Sequence, residues 1–302
     1  MILVLIKPPS GGFILANNII TMMQLIRQSF ILETASVKKL GQCYLALILL
    51  NFYGVVSAQS SSTMSEPAKA AQKMQNRLYP QVQLPFSYNY NQNMGANNAM
   101  QQAEFSLSPI IPVNITSQVQ LILNPMLTYN RNLNDQQVTN QNQPLQLATF
   151  LAPTYAKEWY FGIGPYFQAP ATNANNGSRQ TGVGVSAGAF YTPANWVIGG
   201  AMYNSWGIGS DLSGGTANVL NLQPAISYTT DNAWTYNLSS QVTYSYTARN
   251  ATNQLTLSGG KTIQFSGYHL QIQVGPTYMV TTTPTSAKGL GAFVGLTALL
   301  PR

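Results

Sequence analysis

Residues able to move protons, hold metals or attack carbonyl groups are few in this chain, and they are scattered. There is 1 His, His269, and 1 Cys, Cys43, with 7 Asp plus Glu in 302 residues. A Ser-His-Asp arrangement needs an imidazole to shuttle the proton, and His269 alone could fill that place. A zinc site needs three or four clustered ligands, which one His and dispersed carboxylates do not supply. Gly182-Val183-Gly184 sits inside a strand pattern, and with no helix after it the motif makes no phosphate cradle. No metal and no cofactor is expected, and one Cys with one His excludes a disulfide scaffold or a zinc finger. Neutral hydrogen-bonding groups are abundant instead: 24 Asn and 23 Gln from Gln59 onward. Charged residues make up 7%, against about 25% in an ordinary soluble domain. That is too little charge to keep a chain expanded. Side-chain amides donate and accept without setting up a net field, which suits passage or recognition of solutes better than bond making.

The elements that position these amides read as strands. Val119, Leu121, Leu123 and Leu127 alternate against Gln118, Gln120 and Asn124. Trp234-Thr235-Tyr236-Asn237-Leu238-Ser239 and Gln241-Val242-Thr243-Tyr244-Ser245-Tyr246 alternate in the same way, and so do Tyr268, Leu270, Ile272, Val274 and Tyr278 against His269, Gln271, Gln273 and Thr277. Successive side chains of a strand point to opposite faces, so each segment has an apolar wall and a polar wall. Twelve such segments are predicted, near 81–90, 103–113, 117–129, 144–154, 158–168, 181–191, 195–206, 218–229, 233–247, 253–264, 267–280 and 289–300. Short turns, such as Thr192-Pro193-Ala194 and Phe265-Ser266, alternate with longer polar loops such as Arg131 to Gln143, Ala169 to Gln180 and Gly207 to Ala217. An even strand count with short-long alternation predicts an all-β fold, an antiparallel up-and-down transmembrane barrel with short periplasmic turns.

Aromatic spacing gives a second line of argument. Trp159, Trp196, Trp234 and Tyr268 follow short turns, and Phe167, Trp206, Tyr244 and Tyr278 lie eight or ten residues further on the same strands. Ten residues at about 3.3 Å, tilted about 40°, climb about 25 Å, the height of the apolar band between two aromatic girdles. Tyr191 and Tyr228 would join the periplasmic girdle. A soluble sandwich would fill its core with aromatics but does not require this paired spacing. Pro109, Pro125, Pro153, Pro165, Pro224 and Pro276 run against the reading, because proline donates nothing to a ladder and a closed barrel has no edge to hide it.

The start of the chain is an address. Lys38 and Lys39 precede the uncharged stretch Leu40 to Val56, and Val56-Ser57-Ala58 supplies small residues for cleavage. This is the layout of a secretory signal over 1–58, with Met22 or Met23 as an alternative start and a membrane anchor as the competing reading. Cleavage after Ala58 leaves no Cys, 10 basic and 6 acidic residues, which is no footprint for nucleic acid. Residues 59–79 form an N-terminal periplasmic segment, in which Ser65 caps and Pro67 starts a short helix to Leu78 bearing Lys69, Lys73 and Arg77 as one basic stripe. An exposed, solvated helix is the simpler expectation, and a plug or partner contact the alternative. The barrel takes 80–302.

In this order, Gly162-Ile163-Gly164-Pro165-Tyr166-Phe167-Gln168-Ala169-Pro170, Trp196-Val197-Ile198-Gly199-Gly200-Ala201, Leu222-Gln223-Pro224-Ala225-Ile226-Ser227-Tyr228 and the ending Leu299-Leu300-Pro301-Arg302 resemble a family of proteobacterial outer-membrane proteins labelled neuromedin U, transporter, or MetA-pathway of phenol degradation. The resemblance covers roughly 100–302. It implies an outer-membrane barrel that passes small hydrophobic or aromatic compounds, assembled by the barrel-assembly machinery and surrounded by outer-membrane lipid and lipopolysaccharide. The loop charges common in relatives are mostly Asn, Gln or Thr here.

With the polar face as lumen, Gln118, Gln120, Asn124, Asn221, Gln223, Asn237, Gln241, Thr243, His269, Gln271 and Gln273 line it. The absence of a charge ring predicts weak charge selectivity and a preference for uncharged solutes. Trp159, Trp196, Trp206, Trp234, Tyr268 and Tyr278 form the girdles. Twelve strands stand between packed and open barrels, so a filled lumen is the alternative to an open one. Gly182, Gly184 and Gly188 leave room in the lumen or ease curvature. Lys261 falls on the apolar parity, so it either flips inward at a glycine bulge or snorkels to the periplasmic rim. Three functions compete: a passive channel, a surface-interaction barrel binding through Asn-rich loops, and, least favoured, a lumen hydrolase on His269. No enzyme is expected.

Overall fold

The computed structural model describes residues 64–302 apart from 96, 135–136, 155–156, 171–179, 209–216, 284–285 and 302. The expected signal over 1–58 lies outside the described residues, as do 59–63. One helix, α1 (Glu66–Met74), precedes fourteen strands. These are β1 (Gln83–Met94), β2 (Met100–Leu107), β3 (Ile111–Asn114), β4 (Val119–Asn134), β5 (Gln137–Asn142), β6 (Gln146–Pro153), β7 (Trp159–Gln168), β8 (Thr181–Tyr191), β9 (Trp196–Ile208), β10 (Val219–Thr229), β11 (Trp234–Ser245), β12 (Asn250–Phe265), β13 (Tyr268–Thr281) and β14 (Gly289–Leu299). β2 and β3 both pair with β4 and form one interrupted wall strand, as do β5 and β6. The wall therefore has twelve antiparallel members, closed where β1 meets β14.

Both ends of the barrel chain and the tight turns lie at one rim, taken as periplasmic. Ser266-Gly267 is a two-residue hairpin turn with positive φ at both positions, 47° and 84°. That is the primed geometry matching the right-handed twist of the flanking strands. Arg131 to Gln143 is not a loop. Residues 129–134 pair with β5 on one side, and 127–133 pair with β2 on the other. Its sequence is polar apart from Leu133 and Val138, so the ladder forms without an alternation to announce it. Between β5 and β6 the register slips by one residue around Pro144, as expected of a bulge.

Burial is inverted relative to a soluble protein. Phe161, Ile163, Leu257 and Phe265 are 58–71% exposed on the outer surface, while Gln120, Ser186, Thr235 and Gln271 are 0–1% exposed inside. Apolar side chains of this kind recur on the outer face around the wall. Apolar side chains recurring round the whole wall are unlike the single patches of a few hundred Å² that soluble monomers show, and they fit a bilayer around a closed barrel.

The mid-wall prolines have a common arrangement. Each keeps an unbroken register with one neighbour and faces a gap in the other ladder. Pro165 is paired with Val185, but β6–β7 pairing skips from Ala148↔Tyr166 to Leu151↔Ile163. Pro224 is paired with Gly200, but β10–β11 skips from Leu222↔Val242 to Ala225↔Ser239. Pro276 is paired with Ala292, but β12–β13 skips from Thr256↔Thr277 to Gly259↔Val274. Pro125 lies across from the break at 108–110, which contains Pro109. Side chains replace some of the lost backbone donors. Asn124 Nδ2 donates to the Ser108 and Pro109 carbonyls at 3.1 and 2.9 Å. Thr149 Oγ1 donates to the Pro165 carbonyl at 2.8 Å, and Ser186 Oγ to the Thr149 carbonyl. Pro153 ends β6 at the periplasmic rim.

Candidate functional site

The candidate site is the lumen and its periplasmic mouth. Strand parity and burial divide the interior into two halves. On β4 and β6 to β9 the inner wall carries one buried apolar and aromatic cluster, Ile122, Phe150, Tyr166, Phe190, Val197 and Tyr203, set among buried Gln120, Asn124 and Ser186. On β10 to β13 it is polar, with Ser227, Thr229, Thr235, Ser258, Thr262, Gln271 and Thr277 buried. The sequence reading placed the greasy side of every strand outward. On the first half large apolar groups face inward too, because an inserted segment covers them.

That segment is α1 and the chain following it. Ser65 caps the helix, its Oγ accepting from Ala68 N, and the same hydroxyl donates to the Asp231 carbonyl in the β10–β11 turn at 2.7 Å. Ala68, Ala70, Ala71 and Met74 are buried, Met74 and Ala70 with Leu299 of β14. Gln72 Nε2 donates to the Ala194 and Trp196 carbonyls, and Gln75 Nε2 to Gln271 Oε1 at 2.8 Å. Beyond the helix, Arg77 donates to the Tyr203 hydroxyl at 2.9 Å. Leu78 is 1% exposed within the aromatic cluster. A Cβ built on inward-facing Gly188 would lie 3.4 Å from Leu78 Cδ1, so this glycine leaves room for the inserted leucine. At Gly184 a Cβ would collide with the Asn204 carbonyl at 1.8 Å, so that glycine serves close backbone approach. The expectation of an exposed, solvated helix is therefore overturned. Its apolar side chains meet Leu299 and its amide Gln75 bonds a partner 196 residues away, and no local pattern reports those.

The predicted lumen residues separate by height. Gln118 is corrected: it is exposed in the turn before β4, because Thr116 Oγ1 accepts from the N–H groups of Gln118 and Val119 and holds the turn. Gln120 is buried, its Nε2 donating to the Pro153 carbonyl at 3.3 Å, and Asn124 bridges the proline gap. Gln271 is buried near the mouth, donating to Thr235 and Thr262 hydroxyls while accepting from the helix. Asn221, Gln223, Asn237, Thr243 and Gln273 are half-buried, and Gln241 is exposed on the inner parity. Thr243 donates to Asn221 Oδ1 at 2.7 Å. His269 is half-buried on the inner parity beside the mouth, and its Nε2 has no hydrogen-bond partner among the described residues. In the strands Glu104 is the single carboxylate, accepting from Asn89 Nδ2 at 3.3 Å.

The predicted girdle residues stand on the outer surface. Trp159 stacks on Tyr191 with centroids 4.5 Å apart, and Trp196 meets Tyr228 at 4.8 Å, both at the periplasmic rim. Trp234 and Tyr268 are exposed at the same rim, and Trp206 and Tyr278 toward the opposite one. Lys261 snorkels: its Nζ lies 5.4 Å from the Trp234 ring centroid and donates to the Asn232 carbonyl, the β11–β12 register is unbroken up to it, and the β12–β13 register runs past it. No bulge turns it inward.

No protein-family model matches the chain, and no curated protein matches it. Among solved structures, the COG4313 outer membrane channel from Pseudomonas putida F1 superposes with a TM-score of 0.54 at 12% identity, over 81% of this chain and 99% of that one. The fold is that of a bacterial outer-membrane barrel. The translocator domain of autotransporter NalP from Neisseria meningitidis (TM-score 0.44, 10% identity, 74% and 88% covered) and outer membrane phospholipase A from Escherichia coli (0.41, 12%, 80% and 99%) are more distant barrels.

Proposed function

We propose that the protein is a passive outer-membrane channel for small solutes, and that α1 narrows its periplasmic mouth. The observation carrying this is the inverted wall: amides and hydroxyls turned inward on a closed barrel, including Gln241, which remains exposed on the inner parity. A lumen half polar and half aromatic suits compounds with an apolar body and a polar group. That agrees with the passage of small hydrophobic or aromatic compounds implied by the resemblance to the phenol-degradation-labelled family. The amide-rich strands, with Glu104 as their one carboxylate, favour weak charge selection in the upper lumen.

The enzyme reading gains no support from the geometry at His269, whose Nε2 meets no nucleophile or carboxylate within hydrogen-bonding distance among the described residues. The surface-interaction reading rests on Asn-rich loops, of which the one expected at Arg131–Gln143 is mostly paired strand. The test is liposome swelling with purified mature protein in small neutral sugars and aromatic alcohols. Swelling that depends on solute size supports a channel. A folded barrel that leaves the vesicles impermeable overturns it.

A further inference from the structure

The inserted helix contacts β10 to β14 and leaves a cleft on the opposite side, against the β6–β7 and β8–β9 turns. This cavity of about 190 Å³ is lined by Lys69, Lys73, Asn76, Tyr79, Lys157 and Tyr160. We propose that it binds a small organic carboxylate, the carboxylate meeting the lysines and the Asn76 amide while the body lies against the tyrosine rings.

Three observations carry this. First, no carboxylate lines the cavity. Lys69 is paired with exposed Glu66 at 2.7 Å, while neither Lys73 nor Lys157 has an ion pair among the described residues. Lys73 Nζ lies 5.3 Å from the Tyr79 ring centroid, a contact that leaves its protons available to an anion. Second, Asn76 is 1% exposed and its Nδ2 has no acceptor, although its Oδ1 accepts from Leu78 N at 2.9 Å. That bond fixes which end of the amide is the oxygen, so an unsatisfied donor is held in the cavity lining. A buried donor without a partner is costly, and an anion's oxygen would satisfy it. Third, the rings of Tyr79 and Tyr160 lie 5.9 Å apart at 45°, an apolar wall that a bare inorganic ion would leave uncovered. The basic stripe, unplaced from sequence alone, thus supplies the cations of the mouth, while the strand cations Arg131 and Lys261 stand on the outer face.

The inference deepens the channel reading, since it names the solute class at the mouth, but binding is measurable without flux. Calorimetric titration of the full mature protein in detergent would use benzoate, benzyl alcohol and inorganic phosphate as probes. Benzoate is expected to bind saturably, and Lys73→Gln and Lys157→Gln are each expected to weaken it about tenfold, the scale of one charge-assisted hydrogen bond. Benzyl alcohol should not compete. Lys157 lies in an exposed turn, so its substitution leaves the barrel folded, as unchanged heat-modifiable migration would confirm. Failure of benzoate to saturate, or an affinity in either variant unchanged from that of the unsubstituted protein, overturns the site. Phosphate binding as tightly as benzoate overturns the carboxylate-plus-ring assignment. Benzoate binding by a protein that permeabilises no liposomes would leave the site standing and remove the channel.

Discussion

The residue-scale devices in this wall concern missing hydrogen bonds. A proline inside a closed barrel removes a donor from one of its two ladders, and here the gap is placed where a neighbouring side chain can donate. Asn124 is the plainest case, with its Nδ2 serving two carbonyls across the 108–110 break. Asn124→Ala is expected to destabilise the barrel by about 1–3 kcal/mol, as for buried acceptors left unsatisfied, read as a lower urea midpoint in detergent or lipid. The prolines were legible in the sequence as a conflict. Their resolution was not, because it depends on which carbonyl stands across the ladder. His269 is predicted to be a wall residue, so His269→Ala should leave solute flux unchanged in swelling assays.

At the scale of elements, the strands and the helix were legible to different degrees. Alternation in segments such as Tyr268 to Tyr278 fixed which side chains share a face, and the register of β13 against β12 and β14 agrees with it. The ladder of β5 escaped because its one apolar residue, Val138, sets no parity among Gln, Thr and Asn. For α1, Ser65 and Pro67 announced the start, but its destination inside the barrel depends on contacts with the Asp231, Trp196, Gln271 and Tyr203 regions, all distant in sequence. The aromatic inner wall was missed for the same reason: Phe150, Tyr166 and Tyr203 face inward because Leu78 covers them. Gly188→Leu should therefore loosen the inserted segment, since a branched side chain would occupy the place of Leu78. Protease sensitivity of the segment around Arg77 is expected to rise while the strands stay protected.

For the whole molecule, the decisive property is that the buried polar groups face in, beside one aromatic cluster, and the outer face is apolar. Ile163 is 63% exposed near the middle of β7. Ile163→Arg should cost about 2–4 kcal/mol, as for a cation placed on the lipid face at mid-bilayer, measured by urea unfolding in lipid vesicles. If that face were merely solvated, the change would be nearly neutral. The central claim joins this barrel to its partly filled mouth, and single-channel recording in planar bilayers tests both together. The mature protein should give small conductance, and a variant lacking residues 64–80 should give a steady conductance several-fold larger. Equal conductance in the two proteins, or none in the shortened barrel while it remains folded, would contradict the account.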